Sequence, residues 1–328
     1  MKILLYTEFY NIFKTSGLGK AIEHQMKALE TNNICYTLNL KDDYDIIHIN
    51  HYGPKSYKMS NLSHKKGKKV VYHAHSTYED FRNSFILSNF WSNKFKKRII
   101  KCYSTGDVIV TPTNYSKKLL ESYGIKKRIE VVSNGIDLSF FKRSSNNFRK
   151  KYNFSKNEKL IMCVGTYMER KGILDFVELA KKIPEYKFLW FGESPLWLAP
   201  KKIRKAVKTK LPNLYFIGYV NPDILRDAYS SVDLFLYTTH EETEGMPIME
   251  ALACKTKALI NDIGVFEDYI DKKDVYKYKN MNEASKLIPM ILENKLPDLT
   301  DNGYEKVKDK DIIIVGKRLK EIYESLLK

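Results

Sequence analysis

The chain has 328 residues, which is long enough for two ordinary domains, each with its own core. A hydrophobic content of 43% and an aromatic content of 13% argue against a disordered protein, and no apolar run approaches the ~20 residues that a membrane-spanning helix needs. The net charge is +17, and residues 1–155 contain 27 Lys and Arg against 12 Asp and Glu. Because almost all of the excess lies in the first half, that half is expected to face a polyanion, either nucleic acid or an anionic lipid surface.

Two further features bear on where the protein works. The four cysteines lie far apart in the sequence, so they predict neither a disulfide framework nor a zinc site. The apolar start of the chain is interrupted by Glu8 and is too short for a secretory signal. We therefore expect a cytoplasmic protein, attached peripherally to the inner face of the cell membrane through its basic first half.

Short apolar segments alternate with helix-length amphipathic segments along the whole chain, a pattern typical of parallel sheets with crossover helices. Strands are predicted at residues 2–7, 34–39, 45–50, 69–74, 107–111 and 128–132 in the first half, and at 160–165, 188–192, 214–218, 234–237, 258–261 and 275–278 in the second. We therefore predict an α/β protein with two Rossmann-like, doubly wound domains at residues 1–150 and 151–310. A polar, basic linker is expected at 138–157, and residues 311–328 are expected to form a terminal helix that packs back toward the first domain.

The run KTSGLGKAIEHQ follows the first predicted strand and places Gly17 and Gly19 at the start of a helix. Glycines at such a position allow the backbone to approach a ligand closely. Ile22 stands where the third glycine of a dinucleotide-binding fingerprint would be, so the fingerprint is incomplete.

His75 lies in the segment VVYHAHS, directly after a predicted strand. Ligands collect at the carboxyl ends of the strands in open parallel sheets, so His75 is a candidate binding residue. His73 lies on the same face and resembles the partner of a metal pair, but no third ligand follows at a matching spacing. We therefore expect a hydrogen-bonded His73 in the core, a His75 at the rim and no metal site.

The segment SNFWSNKFKKRIIKCYS, residues 88–104, has the pattern of an amphipathic helix. On a helical wheel its apolar face contains Trp91, Phe95, Ile99, Cys102 and Tyr103, and its basic face contains Lys94, Lys97, Arg98 and Lys101. One interpretation is an interfacial helix, with aromatics at the acyl boundary and cations on anionic headgroups. The other is a helix packed on the sheet with a solvated basic face; the charge of the first half favours the membrane.

Arg170 and Lys171 lie in CVGTYMERKGI, residues 163–173, between a predicted strand and a predicted helix. Two cations beside a helix terminus can hold a diphosphate, because Arg offers a planar fork of donors and Lys a point charge. A Lys-Gly pair in a loop is also common on solvated surfaces, so this turn alone does not distinguish a binding site from an ordinary loop.

The decapeptide EETEGMPIME, residues 241–250, follows an apolar strand and opens an apolar helix. Pro247 suits the first helical turn, where its missing N–H costs nothing, so the helix is predicted to begin at Met246 or Pro247. The free amides of that turn, next to Gly245, and the helix dipole make a site for an anion.

Glu242 and Glu250 flank this helix start. Carboxylates aimed at a phosphate would repel it, so the two side chains are predicted to accept hydrogen bonds from the hydroxyls of a sugar and a ribose. The alternative is an acidic helix cap, stabilised by the dipole, which explains Glu244 well and Glu250 poorly.

Taken together, these motifs resemble glycosyltransferase family 4 (GT4), the retaining, nucleotide-sugar-dependent enzymes with the GT-B fold. Glu242 and Glu250 are separated by seven residues, as in the E-x7-E motif of that family, with Gly245, Met246 and Pro247 in their expected places. The other matching segments follow the order of the family along the chain: KTSGLGKAIEHQ, VVYHAHS at 70–76, VTPTNYS at 110–116, SNGID at 133–137, RKG at 170–172, and DIG at 262–264 with Glu267.

The chain departs from the family pattern at three places. Thr166 stands where the family often has an arginine, so Arg170 is expected to share the diphosphate role with Lys171. Thr243 and Glu244 replace the usual glycine and phenylalanine of the acidic loop. The usual ACG-x-P after the second glutamate reads ACKTK here.

Within that family, the run KTSGLGKAIEHQ, the segment HAHSTYEDFRNSF and the short length are most similar to bacterial enzymes that add a second hexose to a monoglycosyl diacylglycerol. The resemblance implies transfer of an α-hexosyl group from UDP-glucose or UDP-galactose to a membrane glycolipid, monoglucosyl diacylglycerol, giving a diglycosyl diacylglycerol. It implies no requirement for a metal or another cofactor, since helix amides and cations stabilise the departing UDP.

The resemblance also implies a role for each matched residue. Arg170 and Lys171 would bind the diphosphate, and Glu250 would bind the ribose hydroxyls. Gly17 and Gly19 would let the backbone approach the phosphates.

The donor sugar would be held by a second set. Glu242 would bind its hydroxyls together with the amides of Gly245 and Met246. His75 would contact the same sugar from the acceptor domain.

Three other interpretations stay open at this point. A GT4 enzyme could act on a cell-wall or capsular polysaccharide or on a protein instead of a lipid. A basic nucleic-acid-binding protein would explain the charge, but no nucleic-acid-reading motif is found and the paired glutamates would have no purpose. A nicotinamide-dependent oxidoreductase is weakened by the missing third glycine.

Overall fold

A computed structural model describes residues 1–14, 16–144 and 148–328. Thr15 of the run KTSGLGKAIEHQ and residues 145–147 of the predicted linker lie outside the described residues. The described residues contain the strands β1 Lys2–Tyr6, β2 Cys35–Thr37, β3 Ile46–Ile49, β4 Lys69–His73, β5 Val108–Thr111, β6 Arg128–Val131, β7 Leu160–Val164, β8 Lys187–Phe191, β9 Leu214–Gly218, β10 Leu234–Tyr237, β11 Ala258–Asn261 and β12 Tyr276–Tyr278. Every predicted strand is present, with ends that differ from the expected ones by at most two residues.

The same residues contain the α-helices α1 Tyr10–Phe13, α2 Gly17–Thr31, α3 Pro54–Lys65, α4 Tyr78–Phe81, α5 Ser88–Tyr103, α6 Asn114–Ser122, α7 Phe148–Lys151, α8 Ile173–Lys182, α9 Lys201–Val207, α10 Pro222–Ser231, α11 Met246–Ala253, α12 Met281–Leu292, α13 Thr300–Val307 and α14 Ile312–Leu327. Short 3-10 helices lie at Glu169–Lys171, Leu196–Leu198, Gly264–Phe266 and Lys308–Lys310. Helix α6 begins at a capping box of Thr113 and Ser116, within VTPTNYS. Within the described ranges, no helix is both long and apolar enough to span a bilayer.

The strands form two six-stranded sheets in which each described pairing is parallel. The order is β2-β1-β3-β4-β5-β6 in the first sheet and β12-β11-β10-β7-β8-β9 in the second. In both sheets the strand order reverses beside the first strand, which is the doubly wound arrangement. The predicted α/β class with two Rossmann-like sheets is therefore confirmed.

The described chain divides into two compact units. Unit 1 consists of Met1–Phe81, Phe90–Asp137 and Lys310–Lys328, and unit 2 consists of Arg82–Asn89 and Leu138–Asp309. The chain thus passes into unit 2 after Asp137, and its last segment belongs to unit 1 again.

In unit 1 the side chains of β1, β3, β4 and β5 alternate between two cores, one on each face of the sheet. Ile3 and Leu5 of β1 enter the first core, and Leu4 enters the second. Helices α2 and α14 cover the first core, to which α14 contributes Leu319 and Tyr323. The last helix is therefore part of the interior of unit 1.

Helix α5 forms at the predicted place, but its apolar face does not have the predicted partner. Phe95, Ile99, Cys102 and Tyr103 are buried in the second core of unit 1. The interpretation of these four side chains as a membrane-contacting face was wrong, because they pack against the sheet. The periodicity of a helix predicts an apolar face but not the surface that this face covers. Trp91, near the start of the helix, stays 46% exposed.

In unit 2 the strands are mostly apolar, as expected for a parallel sheet that helices cover on both faces. Phe176 of α8 packs edge to face against Phe188 and Trp190 of β8, with ring centroids 5.2 and 5.4 Å away. This packed sheet fixes the carboxyl ends of β7 and β10, and the segments that carry Arg170 and Glu242 emerge from those two ends.

Candidate functional site

Arg170 and Lys171 lie in the 3-10 helix that follows β7 in unit 2. The turn ends at Gly172, whose φ of 73° lies in the left-handed region. A Cβ atom at this position would lie 1.8 Å from the backbone oxygen of Thr238, so only glycine lets the turn pack against the end of β10. The glycine of the RKG motif thereby brings both cations next to the loop after β10.

Hydrogen bonds to the backbone fix this contact. His240 N donates to Arg170 O at 2.7 Å, and Thr239 Oγ1 lies 3.1 Å from the same oxygen. Thr238 Oγ1 donates to Lys171 O at 3.3 Å. The turn and the loop are therefore held together at the carboxyl edge of the sheet, where ligands bind in folds of this class.

The Glu242 carboxylate is the centre of a buried cluster at this edge. Lys171 Nζ donates to its Oε1 at 2.5 Å, and the hydroxyls of Tyr237 and Thr239 donate to the same oxygen at 2.6 and 3.0 Å. Arg170 Nη1 lies 3.6 Å from Glu242 Oε2. The structure thus brings together three residues that the sequence singled out, namely Arg170, Lys171 and Glu242.

The charges of this cluster hold Glu242 in its ionised form. Burial raises the pKa of Glu242, but Lys171 and Arg170 together with the hydrogen bond from Tyr237 outweigh burial, so the pKa lies below its usual value. Burial and the adjacent carboxylate raise the pKa of Tyr237 well above its usual value, so the phenol stays a donor. Two cations and one carboxylate leave a net positive charge at this point.

Arg170 has further partners that sequence reasoning missed. Its Nε donates to Ser84 Oγ at 2.8 Å, and its Nη1 donates to the backbone oxygen of Glu241 at 3.0 Å. Its backbone amide donates to Asn83 O at 3.2 Å. Ser84 lies 86 residues earlier in the chain, and no spacing or motif links it to Arg170. The guanidinium of Arg170 is thus fixed in orientation, whereas Lys171 reaches Glu242 with the end of a flexible side chain.

Helix α11 begins at Met246, one of the two predicted positions, with Gly245 as its N-terminal cap. Gly245 has a φ of 84°, and a Cβ atom there would lie 2.9 Å from Phe266 Cε1. Pro247 lies in the first turn, where its missing N–H leaves no bond unmade. The amides of a first turn have no partner within the helix, so this helix start favours an anion.

Glu250 lies further along α11, is buried, and accepts a hydrogen bond from Tyr229 Oη at 2.9 Å. Burial and the Glu250 carboxylate raise the pKa of Tyr229 well above its usual value, so this hydroxyl also stays a donor. Tyr229 belongs to α10, a separate helix, and nothing in the spacing of the sequence pointed to it. The two glutamates of the E-x7-E motif are therefore held by different tyrosines.

A second ion pair beside the cluster also escaped the sequence analysis. His240 Nε2 lies 2.6 Å from Asp175 Oδ2, and this hydrogen bond raises the pKa of His240 although burial opposes the shift. The pair ties the loop after β10 to the first turn of α8. The available signal was the position of His240, three residues after a strand end and directly before the acidic decapeptide.

In unit 1, Gly17 is the first residue of α2, and Gly19 lies in its first turn. Ser16 caps the helix, because its Oγ accepts a hydrogen bond from Gly19 N at 3.4 Å. A Cβ atom at Gly17 would meet no atom within 4 Å, so the helix start is open on that side. The backbone at Gly17 is therefore accessible, which is the property for which the sequence singled it out, whereas Gly19, singled out for the same property, is buried.

His75 is held by side chains of unit 1. Its Nε2 lies 2.9 Å from Asn50 Oδ1, and its ring stacks on His73 with centroids 3.8 Å apart. Asn50 Nδ2 donates to Gln25 Oε1 at 2.9 Å, so the oxygen of Asn50 faces His75 and His75 donates from Nε2. Burial lowers the pKa of His75 to about 3, partly opposed by a hydrogen bond with Asn134, and the ring is therefore neutral.

A chain of buried groups continues behind His75. Gln25 Nε2 donates to His48 Nδ1 at 3.0 Å, and Tyr323 Oη lies 2.6 Å from the same nitrogen. The proton of neutral His48 is therefore on Nε2, which lies 3.1 Å from His73 Nδ1. Within the described part of the chain, no atom accepts a hydrogen bond from His73 Nε2. His73 is buried and His75 partly exposed, the division that the sequence predicts.

The residues that the sequence singled out thus fall into two groups. Unit 2 contains Arg170, Lys171, Glu242, Gly245, Met246 and Glu250, and unit 1 contains Gly17, Gly19 and His75. Among the described residues, no cluster of three or more His, Cys, Asp or Glu side chains is arranged to hold a metal ion. The cations, helix amides and buried carboxylates of unit 2 suit a ligand that carries both phosphate and hydroxyl groups.

Comparison with known proteins agrees with this chemistry. The family model described as Glycosyltransferase Family 4 matches residues 32–140, and the model described as Glycosyl transferases group 1 matches residues 144–310. The chain is 38% identical to the processive diacylglycerol alpha-glucosyltransferase of Acholeplasma laidlawii, over 100% of this chain and 99% of that relative. It is 22% identical to the alpha-galactosylglucosyldiacylglycerol synthase of Streptococcus pneumoniae, over 77% of this chain and 69% of that relative.

The fold has counterparts among solved structures. The crystal structure of Anabaena HepE in complex with UDP and glucose matches with a TM-score of 0.78 at 14% identity, over 99% of each chain. Together with the two doubly wound sheets, this match confirms the predicted GT-B fold. The full-length match to the Acholeplasma relative and the family models confirm the resemblance that the motifs indicated. The chain is therefore a hexosyltransferase that belongs to the Glycosyl transferases group 1 family, with an N-terminal part of Glycosyltransferase Family 4.

Proposed function

We propose that the protein transfers an α-hexosyl group, with retention of configuration, from UDP-glucose or UDP-galactose to monoglucosyl diacylglycerol, giving a diglycosyl diacylglycerol. The observation that carries this proposal is the buried cluster of Arg170, Lys171 and Glu242, directly before the N-terminus of α11. The full-length similarity to an enzyme named as a diacylglycerol alpha-glucosyltransferase supports a lipid acceptor. The similarity in fold to HepE, solved with UDP and glucose, supports a UDP-sugar donor.

The diphosphate of the donor is assigned to Arg170 and Lys171, next to the N-terminus of α11. When the bond between the sugar and UDP breaks, the bonding electrons leave with the phosphate oxygen. Two cations and a helix N-terminus stabilise that added negative charge. Lys171 is suited to this task because its flexible side chain can turn from the Glu242 carboxylate to a phosphate, while Arg170 stays fixed by Ser84.

The hydroxyl groups of the donor are assigned to the two buried glutamates. Glu250 would accept hydrogen bonds from the ribose, and Glu242 would accept them from the sugar beside the amides of Gly245 and Met246. Both carboxylates already accept from a tyrosine, so their orientation is set before the donor binds.

Unit 1 is assigned a supporting role toward the same donor. His75 would contact the sugar, because a neutral imidazole can bond a hydroxyl without adding a charge. Gly17 and Gly19 would let the start of α2 approach the phosphates; a Cβ atom at Gly17 would meet no atom within 4 Å, which supports this role for Gly17, whereas Gly19 is buried.

The acceptor is a lipid, so the enzyme would work at a bilayer surface. The charge of the first half supports peripheral attachment to the inner face of the cell membrane, where anionic lipids attract basic segments. The exposed lysines Lys94, Lys97 and Lys101 of α5 are available for such contacts.

Labelled UDP-glucose and UDP-galactose, each incubated with monoglucosyl diacylglycerol or with diacylglycerol, test the proposal on thin-layer plates. A labelled diglycosyl diacylglycerol with an α linkage by NMR is the expected product of one donor. Absence of labelled lipid with both donors would overturn the proposal. If labelled lipid formed only when diacylglycerol was supplied, the acceptor would be diacylglycerol and not monoglucosyl diacylglycerol. Label in polysaccharide or protein would assign the enzyme to a different acceptor class.

A further inference from the structure

Four large apolar side chains of unit 2 are exposed on two neighbouring segments. Trp197 is 73% exposed and Leu87 is 64% exposed, and Ile86 and Leu198 next to them are also exposed. A backbone hydrogen bond of 3.0 Å from Ile86 N to Leu198 O places the two segments side by side. We refer to Ile86, Leu87, Trp197 and Leu198 as the unit 2 apolar patch.

The first segment of the patch is a fixed loop. Asn83 N donates to Asn89 Oδ1 at 2.9 Å, and Asn89 Nδ2 donates to Asn83 Oδ1 at 2.8 Å. Ser88 N donates to Phe85 O at 3.1 Å, and Leu87 has a left-handed backbone with a φ of 65°. A leucine in this region is rare and persists only where the surrounding structure over-determines it. The loop therefore holds Leu87 in its exposed position.

The second segment is a short helical turn between prolines. Leu198 N donates to Pro195 O at 3.0 Å, and Pro200 follows the turn directly before α9. Ala199 is buried and anchors the turn. Trp197 thus projects from a fixed backbone, and an exposed indole beside other apolar side chains indicates a contact surface for a partner.

The sequence around Trp197 and Leu198 is rich in basic residues and contains no acidic ones. Residues 194–213 contain six Lys and Arg and no Asp or Glu. Lys201, Lys202, Arg204 and Lys205 of α9 are exposed, and of these Lys202 pairs with Glu169 at 2.5 Å. Surfaces that lie in a membrane interface typically combine exposed tryptophan and leucine with neighbouring lysines and arginines.

We propose that the unit 2 apolar patch, together with the exposed cations of α9, docks on the surface of an anionic phospholipid bilayer. This inference rests on the proposed function and adds a lipid contact on unit 2 to the basic first half of the chain. An anionic bilayer carries negative charge over a broad surface. It is therefore complementary to α9, whose exposed cations have no acidic residues among them in the sequence. The apolar side chains enter the acyl boundary, and the cations stay among the headgroups.

Both segments of the patch are attached to the turn that carries Arg170. Ser84 Oγ, in the same loop as Leu87, accepts a hydrogen bond from Arg170 Nε at 2.8 Å. Lys202 of α9 pairs with Glu169, the residue before Arg170. Docking through the patch therefore places the candidate donor site at the membrane surface, where a lipid acceptor is found.

Vesicle binding tests the docking surface. The double variant Leu87→Ser/Trp197→Ser is expected to partition about 10-fold more weakly than wild type onto vesicles of phosphatidylglycerol and phosphatidylcholine. The control Ile270→Ser removes a side chain that is 51% exposed in unit 2 but lies between acids, and it is expected to bind within about twofold of wild type. Equal binding by the double variant and wild type overturns the proposal.

Fluorescence locates Trp197 itself. The chain has three tryptophans, and Trp190 is fully buried, so Trp91→Phe leaves Trp197 as the exposed emitter. Vesicles of brominated phosphatidylglycerol are expected to quench the emission of Trp91→Phe and to leave that of Trp91→Phe/Trp197→Phe unchanged. Equal quenching of both proteins, or of neither, overturns the proposal. So does a dimer in sedimentation experiments that dissociates in the double variant, because the patch would then contact a second copy of the chain.

A transfer assay separates this proposal from the one on which it rests. With monoglucosyl diacylglycerol dispersed in detergent, the double variant is expected to keep the turnover of wild type, and with vesicles it is expected to lose most of it. Absence of transfer by wild type in detergent overturns the proposed function, while quenching still decides the docking surface. Transfer by wild type without quenching of Trp197 overturns the docking surface alone.

Discussion

Lys171 Nζ lies 2.5 Å from Glu242 Oε1, in a buried cluster at the carboxyl edge of the unit 2 sheet. Glu242 is thus the counterion of the cation that the proposed reaction needs for the departing UDP. Arg170, the second cation, is fixed by Ser84 and by the backbone of Glu241. In this arrangement the charge of Lys171 can move, whereas that of Arg170 is held in place. Lys171 and Glu242 are therefore expected to respond differently to replacement.

Replacement of Lys171 by alanine is expected to lower kcat by about 100-fold, or ~2.7 kcal/mol of transition-state stabilisation, because it removes a cation from the leaving phosphate. Steady-state transfer to the lipid acceptor measures the effect. Lys181→Ala, at an exposed position of α8, is the control and is expected to leave kcat unchanged. Near-normal turnover of Lys171→Ala would remove the assignment.

Replacement of Glu242 by alanine is expected to lower the free energy of unfolding by about 3 kcal/mol, because Arg170 and Lys171 lose their buried counterion. Added UDP is expected to raise the melting temperature more in this variant than in wild type, since its diphosphate replaces the lost negative charge. Urea unfolding and thermal melts measure both effects. The exposed Glu178→Ala is the control, and equal UDP shifts in the variant and wild type would argue against a diphosphate at these cations.

Replacement of Glu250 by alanine is expected to weaken UDP binding by about 10-fold, because the ribose hydroxyls lose a buried acceptor. Isothermal titration calorimetry measures the affinity. Tyr229→Phe removes the hydroxyl that donates to Glu250 and keeps the ring, so it is expected to have a smaller effect in the same direction. An unchanged affinity of Glu250→Ala would contradict a ribose contact.

The buried histidines of unit 1 predict a stability that falls in acid. Burial lowers the pKa of His48 to about 3, whereas an unfolded histidine binds a proton below about 6.5. Between these values the unfolded chain holds one more proton at His48, so this residue lowers the free energy of unfolding by about 1.4 kcal/mol for each pH unit below 6.5. Its contribution to stability is complete above pH ~6.5 and is lost as the pH falls toward 3.

Urea unfolding of His48→Gln at several pH values between about 4.5 and 7 checks this prediction. The variant is expected to show a shallower dependence on pH than wild type, by about 1.4 kcal/mol per unit. Tyr323→Phe, which removes the hydroxyl beside His48, is the control and is expected to lower stability by about 1 kcal/mol at every pH without a change of slope. If the free energies of unfolding of His48→Gln and wild type changed with pH in parallel, the prediction would be wrong.

The fold was predictable because parallel strands carry their signal locally. Segments such as LIMCV at β7 and LFLY at β10 are continuously apolar, and each is followed along the chain by a helix. Helix α5 shows the limit of this signal. Its pattern predicted an apolar stripe, but whether the stripe meets a sheet or a bilayer depends on neighbours that are distant in the sequence.

The candidate site divides in the same way. The helix start at Met246 and the turn at Gly172 follow from local chemistry, and both are where the motifs placed them. Tyr229 beside Glu250 and Ser84 beside Arg170 depend on tertiary contacts between segments that share no motif. The segment Arg82–Asn89 could not be assigned to unit 2 from the sequence, because it is flanked on both sides by unit 1.

Unit 1 is assembled from three stretches of sequence, and the last, Lys310–Lys328, follows all of unit 2. That stretch supplies Leu319, Ile322 and Tyr323 to the core against β1. During synthesis the strands of the first sheet are therefore made without these three core side chains. The whole of the second sheet is made before they are added. The two halves therefore cannot be completed in the order of translation, because the core of unit 1 is complete only after residues 310–328 have been made.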